Sequence, residues 1–177
     1  MTYLAKAILL CAALSVAACT NGGRFGGGNG ADGANGANGG YGANGGMVPG
    51  SASDPASPLY FQQSVGDRIL FLVDQSTLTD EARFTLDGQV RWLNSNPDYS
   101  AVVEGHADEQ GTREYNLALG ARRANAVMEY LVAKGVSPAR LRTISYGKER
   151  PIAICSEESC YAKNRRAVTV LAAGSGM

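Results

Sequence analysis

The chain has 177 residues, 45% of them hydrophobic, and 23 are glycine. Glycine brings backbone entropy to lose and no side chain to bury, so one compact domain is the ceiling. Sixteen basic residues balance sixteen acidic ones, which excludes a bulk electrostatic grip on nucleic acid or an anionic surface and leaves recognition by local groups.

Residues 1–6 carry one lysine and lead into the apolar run 7–14, too short for a stable membrane span and suited to an export signal. Val16-Ala17-Ala18-Cys19 resembles the bacterial lipobox, in which the cysteine is lipidated before the signal is cut. Residues 1–18 are then the signal peptide, and Cys19 becomes the lipidated first residue of the mature chain. The alternative is an ordinary secretory signal ending near Ala18. Acylation would attach several alkyl chains, each buried methylene contributing about 0.8 kcal/mol, so anchoring would be effectively permanent. Thr20 follows the cysteine where an Asp would mark inner-membrane retention in bacterial lipoproteins, which implies sorting to the outer membrane.

Residues 19–58 form a tether of Gly, Ala and Asn, stiffened by Ser and Pro toward its end. Such a segment buries too little apolar surface to offset its ordering entropy, and as a Gly-rich coil it spans roughly 30 to 40 Å. The domain proper is expected over 59–177. An apolar run within 67–74 reads as the first strand. Thr79-Asp80-Glu81 caps a helix with Ala82, Leu86, Val90 and Leu93 on one face, stopped at Asn96-Pro97. Residues 100–104 read as the second strand, and 113–134 as a longer helix with Leu117, Ala121, Ala124, Met128 and Leu131 as its apolar stripe. A third strand over 141–146, a long loop over 147–163 and a last strand over 166–171 complete an α+β sandwich, a mixed sheet with two helices on one face. Cys155 and Cys160 lie in that loop with four residues between them. In an oxidising compartment this spacing suits a local disulfide better than redox Cys-x-x-Cys chemistry or a zinc site.

Glu104-Gly105-His106-Ala107-Asp108-Glu109 sits where the second strand opens into a loop, a usual place for ligand groups. Asn116, Arg123 and Tyr130 recur every seventh residue on the long helix, so they share a face. An Asp on the loop and an Arg on the helix can hold a zwitterion, one taking an ammonium and the other a carboxylate. They can equally pair with each other and fasten loop to helix, and position alone does not decide. A catalytic centre on His106, Asp108 and Glu109 lacks a paired nucleophile or a second histidine, so no enzyme activity, cofactor or metal is expected.

Residues 103–127, from Val103-Glu104-Gly105-His106-Ala107-Asp108 to Arg122-Arg123-Ala124-Asn125, strongly resemble the OmpA-like peptidoglycan-binding domain family. The likeness resumes at Ser145-Tyr146-Gly147-Lys148-Glu149-Arg150-Pro151 and at Tyr161-Ala162-Lys163-Asn164-Arg165-Arg166. It implies non-covalent binding of the diaminopimelate in the peptidoglycan stem peptide, with Asp108 meeting the amino end and Arg123 the carboxylate. It further implies a groove holding Asn116 and Leu119, with Phe71 to Asp74 on the opposite wall. Leu72 departs from the acidic residue that relatives commonly carry after the phenylalanine, and the cysteine pair is unusual for them. The lipoproteins of this family belong to the Tol envelope system, which implies docking to the periplasmic protein TolB, with Glu109, Tyr146 and Lys148 as its contacts.

Overall fold

The computed structural model describes residues 48–173; the signal segment, Cys19 and most of the expected tether lie outside them. Ser57 accepts the Tyr60 N–H and starts α1 (Pro58–Tyr60), which runs on as a π-helical turn over Phe61–Gly66. Then come β1 (Arg68–Leu70), α2 (Asp80–Ser95), β2 (Tyr99–His106), α3 (Arg113–Ala133), β3 (Leu141–Gly147), α4 (Glu158–Asn164) and β4 (Arg166–Ala173). The sheet order is β1-β4-β2-β3. β4 is antiparallel to both neighbours, whereas β2 and β3 run parallel because α3 carries the chain back across the sheet.

The fold class and the helix layer are those read from the sequence. Thr79 accepts the Ala82 N–H, Asp80 and Glu81 fill the first turn of α2, and Ala82, Leu86, Val90 and Leu93 are buried. They meet Ile69, Ala101, Val103, Leu141 and Ala167 from the strands and Ala124, Val127 and Leu131 from α3. Two polar side chains, buried Gln89 and half-buried Arg140, join the layers. Gln89 donates to Gly66 O at 2.7 Å and accepts the Thr169 hydroxyl at 2.8 Å, and Arg140 donates to the carbonyls of Leu93, Asn96 and Tyr99. Residues 51–57, read above as the end of the tether, are already engaged, since Trp92 Nε1 donates to Pro55 O at 2.7 Å.

Three local expectations change. β1 has only three residues, because Phe71 N–H is the last to reach the sheet side, at Arg165 O, and Asp74 then turns the chain at φ 57°. The buried face of α3 is rotated from the apolar stripe, so that Leu117 is 47% exposed while Asn116 and Arg123 are buried. Both polar side chains go inside because backbone carbonyls await them there. Finally, the 147–163 loop contains α4, whose first turn is tied by the Cys155–Cys160 disulfide at a Cα separation of 5.8 Å.

Candidate binding site

The site begins with a close approach of backbones. A Cβ on Gly105 would overlap the carbonyl of Gly120, and one on Gly120 would sit 2.8 Å from Gly105 O. Only two glycines let β2 and α3 touch in this way, and the contact fixes the end of β2 against the first half of α3. Beyond it, Ala107 N–H donates to Gly147 O at 2.8 Å, tying the loop to the end of β3.

Asp108 then enters a buried setting, 7% exposed. One carboxylate oxygen accepts the Gln110 N–H at 3.2 Å and the other faces Arg165 Nη1 at 3.2 Å. Arg165 also pairs with Glu158 and donates to Phe71 O at 3.3 Å. Burial works against its charge, but the two carboxylates outweigh burial and hold its pKa above the ordinary value. Asn116 Nδ2 donates to Gln110 O at 2.7 Å and supports the loop from below, while the Tyr115 hydroxyl donates to Asp74, a hydrogen bond that raises the pKa of the phenol.

These groups surround a cavity of about 290 Å³, lined by Val73, Asp74, Asp108, Gln110, Gly111, Tyr115, Asn116 and Leu119. Two carboxylates, an amide and a phenol over a leucine suit a ligand with an ammonium group and polar flanks. A larger cavity of about 450 Å³ lies on the α1 side of α2, but its lining, which includes Tyr60, Val65, Phe84 and Trp92, holds no carboxylate.

Residues 70–165 match the model of the OmpA family. The chain belongs to the OmpA family, among the peptidoglycan-associated lipoproteins. It is 57% identical over 129 residues to the peptidoglycan-associated lipoprotein of Mesorhizobium japonicum, 73% of each chain. Against that of Pseudomonas aeruginosa it is 45% identical over 172 residues, covering 94% of this chain and 96% of the relative. The crystal structure of the peptidoglycan-associated lipoprotein from Burkholderia pseudomallei superposes with a TM-score of 0.61 at 37% identity, covering 68% of this chain and 98% of that one. The family is one of structural lipoproteins and not of enzymes.

Of the residues expected at the family's groove, Asp74, Asp108, Asn116 and Leu119 meet at the cavity. Phe71 and Arg123 do not line it. Arg123 is fully buried behind the wall, its Nε on Gln75 O at 2.8 Å, Nη1 on His106 O at 2.8 Å and Nη2 on Leu72 O at 3.2 Å, with its guanidinium carbon 5.3 Å from the Phe71 ring centre. Burial lowers its pKa to about 10, which leaves it charged at neutral pH. Lys148 holds the cavity loop by donating to Gly111 O at 2.7 Å, and Glu109 accepts from Asn164 at 2.8 Å. Tyr146 is turned away from the cavity and stacks on His106 at 5.5 Å. Sequence reasoning missed Tyr115 and Arg165. Tyr115 precedes Asn116 on α3, and Arg165 stood in the quoted motif with no role attached.

His106 is buried, with neither ring nitrogen hydrogen-bonded, and Glu104 stands off at 3.6 Å. Burial, reinforced by Arg166, Arg150 and Arg68, lowers its pKa to about 4, so at neutral pH the ring is an uncharged packing element. Among the described residues no group of three His, Cys, Asp or Glu side chains is placed to hold a metal.

Proposed function

We propose that the domain binds peptidoglycan non-covalently at the Asp108 cavity, taking the diaminopimelate of the stem peptide. The observation that carries this reading is the cavity itself, where two carboxylates converge over Asn116 and Leu119. An ammonium group between Asp74 and Asp108 gains two charge-assisted contacts in a partly dehydrated setting. Arg123 acts from behind the wall. Three of its five N–H groups hold the carbonyls of the 72–75 segment and of His106, and because the guanidinium is fully buried, the two left over meet the ligand's carboxylate only when that segment moves aside.

Anchored in the outer membrane through lipidated Cys19, with its domain in the periplasm, the chain tethers membrane to wall within the Tol–Pal system that serves envelope integrity and cell division. The names of its relatives support the wall-associated part of this reading. TolB docking is a second, compatible role, with Glu109 and Lys148 bordering the cavity loop and Tyr146 more remote. Overlap of the two sites would make TolB displace wall fragments; simultaneous tight binding of both would exclude overlap.

The test is co-sedimentation with purified sacculi, competed by stem peptide carrying either diaminopimelate or lysine. The expected outcome is retention on the wall, released by the diaminopimelate peptide and much less by the lysine peptide. Equal release by both would overturn the assignment of diaminopimelate, and no retention would overturn wall binding itself.

A further inference from the structure

α2 and α3 cover one face of the sheet, and the residues on the other can be placed row by row from the strand register. Arg68, Val168, Glu104 and Ile144 stand side by side across β1, β4, β2 and β3. One step along the strands, Val170, Val102 and Arg142 form a second row. One step the other way, Leu70 stands beside Arg166. Because side chains alternate between faces along a strand, all of these project to the side away from the helices.

Around Glu104, which stands between Val168 and Ile144, the middle of this face is apolar. Leu70, Ile144 and Val170 are 52%, 40% and 41% exposed, and half-buried Val102 and Val168 join them into one patch. The rim is cationic. Arg68 and Arg142 are exposed, and Arg150 lies 3.6 Å over the Tyr146 ring. Glu104 is the one carboxylate in the rows, and it stands beside His106. A contiguous exposed apolar patch with a charged rim marks an interaction surface more often than scattered surface leucines do.

We propose that this face docks an acidic segment of another periplasmic protein, one that lays an apolar stripe over Val102, Val168 and Val170 and sets carboxylates against Arg68, Arg142 and Arg150. The charge balance selects the occupant, since within the rows two exposed guanidinium groups, Arg68 and Arg142, stand against the carboxylate of Glu104, and Arg150 over Tyr146 adds a third. A second copy stacked face to face would oppose arginine with arginine. A membrane-binding face pairs its cations with exposed aromatic residues that enter the acyl layer, and this face exposes no Trp or Phe. Its cations are all arginine, which interfaces between proteins favour over lysine. None of its residues lines the Asp108 cavity, so the segment and a cavity ligand can be held together, and the inference does not rest on the wall-binding reading.

The full-length chain, expressed in its own cells with p-benzoylphenylalanine at position 144 or 170, tests this. After irradiation the attachment point on the partner is mapped by mass spectrometry. The expected result is an adduct with a different protein at a segment where Asp and Glu outnumber Lys and Arg. Its yield should fall about tenfold or more with Arg68→Glu and Arg142→Glu together, and by less with the milder Arg68→Gln and Arg142→Gln pair. Retention on sacculi should stay unchanged in both. No adduct, attachment to a second copy, to lipid or to residues 1–47 of the same chain, a segment without net negative charge, or a yield indifferent to both pairs would each overturn the proposal.

Discussion

Replacing Arg123 with methionine removes the guanidinium that ties α3 to three carbonyls, Leu72 and Gln75 on the segment after β1 and His106 at the end of β2. Methionine keeps much of the apolar stem but loses the guanidinium that lies over Phe71, a smaller loss than that of the donors. Each buried carbonyl left without a partner costs about 1–3 kcal/mol, and the three are coupled through one side chain. A net loss of about 4 kcal/mol is expected, a large part of the 5–15 kcal/mol that typical domains possess. Arg123→Lys retains a charge and some of the donors, and should lose roughly half as much. Urea unfolding followed by circular dichroism measures both. A methionine variant within about 1 kcal/mol of the wild type would refute the assignment of Arg123 as the clamp of the 72–75 segment. The result also governs how wall-binding data are read, because loss of retention by an Arg123 variant implicates a ligand contact only where that variant is shown to be folded.

Gly105→Ala forces a methyl into the Gly120 carbonyl and should cost about 4 kcal/mol or more, or prevent folding, because β2 and α3 cannot separate without breaking the sheet contact; thermal melting checks it. His106 gives stability a pH dependence. Its folded pKa of about 4 lies below the ordinary 6.5, so between those values the unfolded chain takes up a proton that the folded one refuses. Its contribution is fully present above pH 6.5 and declines by up to roughly 3 kcal/mol as pH falls to 4. In His106→Phe this part of the slope should vanish from urea titrations at several pH values. Cleaving the Cys155–Cys160 disulfide frees the first turn of α4 and should cost about 2 kcal/mol by loop entropy. Hydrogen exchange under dithiothreitol should show α4 opening before the sheet, and simultaneous opening of both would contradict a local clamp.

What could be read from the sequence follows from how local each cause is. α2 was legible because its cap at Thr79 and its four buried aliphatics are set by neighbours within the helix. α3 had legible ends but a mistaken face, since what buries Asn116 and Arg123 is a set of carbonyls at Gln110, His106, Leu72 and Gln75, supplied by other parts of the chain. β1 looked twice its real length for the same reason, as residues 71–75 are drawn out of the sheet by side chains from α3 and from the start of β4. At the site, Asp108, Asn116 and Leu119 came from motif position and do meet. Tyr115 and Arg165 were hidden because their roles depend on Asp74 and Glu158, partners 41 and 7 residues away.

The most direct measurement for the Asp108 cavity is retention of Asp108→Asn on purified sacculi, compared with wild type at matched thermal stability. The substitution keeps size, removes the charge, exchanges one of the two acceptor oxygens for an amide donor, and leaves Arg165 its pairing with Glu158. If Asp108 receives the ligand's ammonium, the loss of one buried charge-assisted contact should weaken retention at least about tenfold. A folded Asp108→Asn chain that sediments with the wall as the wild type does would contradict wall binding at this cavity.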